Sequence, residues 1–248
     1  MKKYKLISCE VFYREVCWVV SRSCNQIDIE FLPKGLHDLG CHKMFQEVNK
    51  IISAVDNDKY DAVLLAYGLC NNGLVGAAAR KIPLVMPRAH DCITVFLGNK
   101  ERYLEYFQNN PGSYFKTSGW MERGKGDQMD SQMSIQSSNG MDKTYEEMVE
   151  KYGEENAKFL YEELCEHTKN YGQMTYIHMG IEPGNQFENM ARDQATEKNW
   201  KFEKIQGDLS LLQRLVDGQW SEHEFLVLEP GQKIAPSYNE SIIKAEKV

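Results

Sequence analysis

Asp61-Ala-Val-Leu-Leu-Ala-Tyr67, followed directly by Gly68-Leu-Cys-Asn-Asn-Gly73, is the stretch that decides the fold. Its five consecutive apolar residues before Tyr67 predict a strand covered on both faces, as in the centre of a parallel sheet. The glycine-bracketed segment ends this strand and places Cys70 just beyond its carboxyl end. Both features are typical of an α/β protein with a site at the edge of its sheet.

Patterns on both sides of this stretch alternate between strand and helix. Short apolar or alternating runs predict strands at Tyr4–Cys9, Ile27–Leu32, Asp61–Tyr67, Ile82–Pro87, Met174–Met179, Trp200–Ile205 and Phe225–Glu229. Helical spacing or composition predicts helices at Tyr13–Ser23, His42–Val55, Leu74–Arg80, Thr144–Tyr171, Phe187–Asn199 and Leu209–Val216. We therefore expect an α/β fold with a mostly parallel, Rossmann-like, doubly wound sheet in two weakly similar halves, with strand one between strands two and three.

Between the halves the sequence loses its periodicity. Residues 109–143 are rich in Gly, Ser, Asn, Asp and Gln and carry Trp120 and several methionines. A stretch of this kind is either a lid that closes over a ligand or a surface insertion, and the sequence leaves both open. The predicted organisation is an N-terminal α/β half at residues 1–108, an insertion or lid at 109–143, and a C-terminal α/β half at 144–248.

Composition narrows the functional class. The chain has 248 residues, with 36 acidic against 29 Lys and Arg side chains and a net charge of −7, which argues against nucleic acid as a partner. No signal-peptide pattern or membrane span is recognisable, so we expect a cytoplasmic protein. The seven cysteines are then expected to be reduced, and to act as metal ligands, nucleophiles or core residues.

Three cysteines and a histidine follow the predicted strands at equivalent places. Cys9 ends the first strand, Cys70 follows the third, and His90 and Cys92 follow the fourth. Because the carboxyl ends of parallel strands share one edge of the sheet, these side chains are predicted to converge on a zinc ion or an iron–sulfur cluster. Two alternatives stay open: Cys9 is a small core residue, and Asp91 caps a helix while His90 faces solvent.

Other residues have candidate roles at the same edge. Cys70 is expected to precede a helix whose N-terminus stabilises its thiolate, which would make it a nucleophile. Glu10 is a candidate acid or base, although a surface carboxylate is the commoner role. Arg88 would bind a carboxylate or phosphate, or form a structural ion pair. The backbone between Gly68 and Gly73 would cradle an anion, although the segment lacks the spacing and the lysine of a phosphate loop.

The remaining cysteines have weaker claims. We expect Cys17, Cys24 and Cys165 to be packing residues and leave the role of Cys41 open, while His37, just past the second strand, is predicted to lie at the same edge of the sheet as the three other cysteines. The sequence has no Walker phosphate loop, GxGxxG turn, GxSxG elbow or HExxH helix, which argues against nucleotide-driven chemistry, serine hydrolysis and zincin proteolysis.

Several motifs together resemble a known family. They are Ser8-Cys-Glu-Val11, Tyr67-Gly-Leu-Cys-Asn-Asn-Gly73, Pro87-Arg-Ala-His-Asp-Cys92, Leu97-Gly98, Gly119-Trp120 and Glu229-Pro-Gly231. The sequence resembles an uncharacterised family of methanogenic archaea and anaerobic bacteria, often encoded beside corrinoid-dependent methylamine-type methyltransferases. The resemblance implies a context of anaerobic one-carbon metabolism and emphasises Cys9, Cys70, Cys92 and His90. It also implies, as partners, a small molecule or a corrinoid protein whose corrinoid contacts this site.

Three hypotheses follow. The first is a metal-binding protein, with zinc or an iron–sulfur cluster, that acts as a methyltransferase or as an accessory protein of one. The second is a metal-free thiol enzyme of the racemase or thiol-transfer kind, with Cys70 as base or nucleophile. The third is a binding module whose halves close on a small molecule or a corrinoid protein.

Overall fold

A computed structural model describes residues 1–70, 72–123, 146, 149–150, 153–160 and 171–248. The strands are β1 (Lys3–Cys9), β2 (Gln26–Leu32), β3 (Ala62–Ala66), β4 (Leu84–Pro87), β5 (Ser113–Lys116), β6 (Gln173–His178), β7 (Lys201–Gln206), β8 (Phe225–Leu228), β9 (Gln232–Pro236) and β10 (Ile243–Lys247). The helices are α1 (Tyr13–Arg22), α2 (Cys41–Ala54), α3 (Cys92–Leu97), α4 (Lys100–Asn109), α5 (Ser118–Glu122), α6 (Glu154–Leu160), α7 (Gln186–Glu197) and α8 (Ser210–Asp217). Short 3₁₀ helices occupy Glu10–Phe12 and Lys34–Leu39.

The first sheet has the strand order β2-β1-β3-β4-β8. Its first four strands are parallel, while β8 runs antiparallel to β4. The expectation of an α/β fold with β1 between β2 and β3 is therefore confirmed. All five residues of β3 are buried, because one face of the sheet packs into a cluster with α1 and α8 and the other into a cluster with α2.

A second sheet contains β5, β6 and β7 in that order, all parallel. Its core is small: the side chains of Met174 and Tyr176 on β6 pack with Phe187 and Ala191 of α7. A two-stranded antiparallel hairpin of β9 and β10 lies next to the first sheet. The parallel strands of the two sheets place two sets of strand ends where a ligand can lie between them.

The structure departs in two places from the predicted division into an N-terminal half, an insertion and a C-terminal half. Strand β5 and helix α5 lie within residues 109–143, which the sequence had suggested to be an irregular insertion. Strand β8, from the C-terminal half, completes the edge of the first sheet. The division into halves stays a prediction. Residues 124–143 of the predicted insertion or lid lie outside the described residues, as does much of the predicted helix Thr144–Tyr171.

The segment Leu74–Arg80 is not a helix, contrary to the prediction. It forms turns and then an extended stretch, with Ala78 bridged to Lys233 of β9. The backbone N–H groups of Gly76 and Ala79 donate to carbonyls of β9. These hydrogen bonds replace those of a helix, so the run of alanines lies against the hairpin as an added strand-like segment.

Candidate functional site

A cavity of about 950 Å³ lies between the carboxyl ends of the first sheet and the strand β5 with its neighbouring helices. From the first sheet it is lined by Cys9, Val11, Phe12, Pro33, Lys34, Leu36, Met44, Tyr67, Gly68, Leu69, Cys70, Asn72, His90, Asp91, Cys92 and Ile93. From the other side it is lined by Tyr103, Phe107, Pro111, Gly112, Ser113, Tyr114, Phe115, Lys116, Trp120 and Tyr171. Its volume lies within the range of small-molecule and cofactor sites.

Cys9, Cys70 and Cys92 all line this cavity. Each lies outside any disulfide and is partly buried. Cys9 is the last residue of β1, Cys70 lies in the turn after β3, and Cys92 begins α3 just after β4. Since β1, β3 and β4 are adjacent and parallel, the strand order itself brings the three thiols to one wall.

The turn that carries Cys70 is held against the segment that leads to Cys92. The Leu69 N–H donates to the Ala89 carbonyl at 2.8 Å, and the Cys70 N–H donates to the His90 carbonyl at 3.0 Å. At Gly68 a Cβ atom would lie only 2.5 Å from the Asp91 Cα, so this approach requires glycine. Cys70 itself has a positive φ of 47°, a conformation uncommon outside glycine and often found at functional sites.

Burial disfavours the charged, thiolate form of two thiols at this wall, Cys70 and Cys92. Burial raises the pKa of Cys70 to about 12, with additional contributions from Cys9 and Asp91, while a hydrogen bond with the Gly68 backbone opposes the shift. Burial also raises the pKa of Cys92 well above its usual range, and the charge of Cys70 adds to this. The indole Nε1 of Trp120 donates a hydrogen bond to Cys92 Sγ at 3.4 Å.

The expected helix after Cys70 is absent, so no helix N-terminus stabilises its thiolate. This corrects the prediction that Cys70 has an activated, low-pKa thiol. The helix near the site is instead α3, which begins at Cys92 and follows the Asp91 cap.

Asp91 and His90 have the roles of the alternative prediction, in which Asp91 caps a helix and His90 faces solvent. Asp91 Oδ1 accepts a hydrogen bond from the Thr94 N–H at 3.1 Å and so caps α3. His90 is exposed at the rim of the cavity. Among the described residues, no three His, Cys, Asp or Glu side chains lie together closely enough to hold a single metal ion.

Three predicted site residues do not line the cavity. The Arg88 guanidinium donates to the backbone carbonyls of Glu222, Ser241 and Ile243, so it fastens the C-terminal strands rather than binding a ligand here. Glu10 Oε1 accepts the Lys34 N–H at 2.9 Å. At Gly73 a Cβ atom would lie 2.3 Å from Met44 Sδ, so this glycine serves packing against α2.

The other cysteines lie elsewhere. Cys17, Cys24 and Cys41 are exposed, so the expectation that Cys17 and Cys24 are packing residues is wrong. Cys17 lies on the outward face of α1, whose inward positions are taken by larger apolar side chains such as Val16 and Val19. Cys165 and the side chain of His37 lie outside the described residues.

Sequence reasoning missed the second wall of the cavity. Its aromatic side chains come from α4, β5 and α5 and from Tyr171, and Lys116 ends β5. The sequence signals were the possible lid at residues 109–143, which carries Trp120, and the density of aromatic residues between Tyr103 and Trp120. Neither indicated which of these side chains face the first sheet.

Comparisons with known proteins identify a family and no activity. The family DUF1638, described as a protein of unknown function, matches residues 31–216. None of the curated proteins matches. A solved structure titled as a sugar transporter from Clostridium phytofermentans is 14% identical, with 83% of this chain and 81% of that chain covered and a TM-score of 0.31. Within the described residues, no helix has the length and apolarity to cross a membrane.

Proposed function

The chain belongs to the DUF1638 family of proteins of unknown function, and we propose that its cavity holds an iron–sulfur cluster ligated by Cys9, Cys70 and Cys92. The observation that carries the proposal is the convergence of three thiols from three adjacent strand ends on one cavity wall. Thiolates are the usual ligands of such clusters.

The donor set suits a cluster better than a single zinc ion. A structural zinc site needs four ligands in a compact tetrahedron, and no three candidate ligands are grouped that closely in the described residues. A cluster places its cysteines farther apart, because each one binds a different iron atom. With three cysteine ligands, one iron would face the cavity, and the exposed His90 at the rim is a candidate for that position.

Metal-free thiol chemistry is less well supported. A nucleophilic cysteine must be ionised, whereas burial holds Cys70 and Cys92 in the thiol form. A bound iron atom removes this difficulty, since its charge replaces the protons that the sulfur atoms lose on binding.

The biological setting of the proposal rests on the resemblance described above. We place the protein in the cytoplasm of anaerobic organisms, acting in or assisting corrinoid-linked methyl-group metabolism. There it would be a methyltransferase or an accessory protein, with a small molecule or a corrinoid protein as its partner. A cluster held in this cavity would supply the one-electron chemistry that redox activation of such a partner needs.

The test is the metal content of protein purified and reconstituted without oxygen. We expect roughly four iron atoms per chain with equivalent sulfide, together with the visible absorption and electron paramagnetic resonance of a cluster. Cys9→Ser, Cys70→Ser and Cys92→Ser are expected to lose most of the iron. The matched controls Cys17→Ser and Cys24→Ser change exposed thiols that do not line the cavity, and these variants are expected to keep the iron.

Two results would contradict the proposal. One is iron content that is the same in the three variants as in the wild type. The other is one zinc atom per chain that the same variants lose, which would assign the thiols to a zinc site instead.

A further inference from the structure

The wall of the cavity formed by α4, β5, α5 and Tyr171 is aromatic, and its Trp120 contacts Cys92. It presents Tyr103, Phe107, Tyr114, Phe115, Trp120 and Tyr171. Some of this surface is left open to solvent, since Phe107 is 47% exposed and Tyr114 is 36% exposed. Rings lining an open cavity provide a surface on which a flat apolar molecule can lie.

Two lysines contribute to the same cavity from opposite sides. Lys34 comes from the turn after β2, and Lys116 is the last residue of β5. Each ammonium group lies over a ring of the aromatic wall: Lys34 Nζ is 4.9 Å from the Trp120 ring centre, and Lys116 Nζ is 5.2 Å from that of Tyr114. The lysines therefore place positive charge beside the aromatic surface.

Lys116 is the more informative of the two. It is partly buried, and in the part of the chain that the structure describes no carboxylate lies within ion-pair distance of its ammonium group. Burial lowers its pKa, and the neighbouring charges of Lys34 and Lys198 lower it further. A buried lysine near like charges is expensive without an anion beside it.

The acidic group on the cavity lining, Asp91, does not compensate for the charge of Lys116. Asp91 Oδ1 accepts from the Thr94 backbone, and its Oδ2 accepts from the Tyr103 hydroxyl at 3.3 Å. Its carboxylate is thus committed to the cap of α3 and to α4.

The geometry points to a small organic anion as the ligand of this cavity, with a flat apolar body on the aromatic wall and its carboxylate, phosphate or sulfonate group at Lys116 and Lys34. The inference deepens the proposed function by naming the class of molecule that would face the cluster. It depends on the lysines and the aromatic rings and not on the cysteines, so it can fail independently of the iron.

A pair of fluorescent probes tests the charge requirement directly. We would titrate the protein with 8-anilinonaphthalene-1-sulfonate and with N-phenyl-1-naphthylamine, which has the same ring system without the sulfonate. The wild type is expected to bind the anionic probe more tightly. Lys116→Gln is expected to weaken the binding of the anionic probe roughly tenfold or more, as for loss of a charged hydrogen bond. It is expected to change the affinity for the neutral probe less than about twofold.

Two further variants keep the result interpretable. Lys116→Arg retains the charge and should retain most of the affinity, which excludes a folding defect as the cause. Lys201→Gln removes an exposed lysine at the start of β7, which does not line the cavity, and should leave both probes unchanged.

The inference would be overturned if Lys116→Gln weakened the binding of both probes equally. It would also be overturned if the wild type bound the anionic probe no better than the neutral one. The titrations are run on protein of measured iron content and repeated on Cys70→Ser. If Cys70→Ser loses the charge preference, the lysines do not form an anion site of their own. If iron is absent but the charge preference persists, only the cluster proposal fails.

Discussion

Glu15 on α1 provides a sharp test of the electrostatics of this fold. Its side chain is fully buried, and neither carboxylate oxygen has a hydrogen-bond partner among the described residues. Burial raises its pKa from 4.5 to about 7, and the nearby Glu182 carboxylate adds to the shift. Its own backbone N–H opposes the shift without reaching hydrogen-bond geometry.

The consequence for stability has a definite sign. Below pH 4.5 the carboxyl group is protonated in both the folded and the unfolded chain. As the pH rises from 4.5 to about 7, the unfolded chain ionises while the folded chain stays protonated, so the unfolded state gains stability. At about 1.4 kcal/mol per pH unit, the folded protein loses roughly 3 kcal/mol over this window.

Glu15→Gln removes this titration. We expect the variant's free energy of unfolding, relative to the wild type, to rise by roughly 3 kcal/mol between pH 4.5 and pH 7.5. The buried amide adds an offset that does not depend on pH. The assay is urea denaturation of both proteins across this range, with Glu47→Gln on the exposed face of α2 as the matched surface control. A difference that stays constant with pH would refute the argument.

Three substitutions test the contacts that shape the cavity and its surroundings, each by the free energy of unfolding in urea. Arg88→Met removes the donor to three backbone carbonyls and is expected to cost about 3 kcal/mol; a loss below about 1 kcal/mol would show that water replaces the guanidinium. Gly68→Ala forces two backbone segments apart and should cost about 2 kcal/mol. At Gly119, where a Cβ atom would meet the Val11 carbonyl oxygen at 1.8 Å, Ala should cost about 3 kcal/mol. Gly172→Ala meets nothing within 4 Å, and a loss there as large as at Gly68 would contradict the steric explanation.

The parallel sheet was predictable because its signals are local. The fully apolar β3 and the alternation in β2 are properties of short stretches, and the order of strands one, two and three follows the common doubly wound pattern. The convergence of Cys9, Cys70 and Cys92 followed from that order alone.

What the sequence did not reveal depends on distant contacts. Leu74–Arg80 has the composition of a helix, but hydrogen bonds with β9, more than 150 residues later, make it extended. Arg88 sits beside the predicted site along the chain, yet its partners belong to the C-terminal segment. Lys116 could not be assigned to the cavity before β5 was known to be a strand of the second sheet.

The position of β8 has a consequence for how the protein folds. Its pairing with β4 joins Leu84 to Leu228, although the chain between them builds the whole second sheet. During synthesis β4 therefore emerges long before its edge partner, and its open edge is a site for mispairing until residues 225–228 arrive. Such distant pairing slows folding, so refolding should be limited by capture of β8, and the first sheet should gain full protection from hydrogen exchange only at that step.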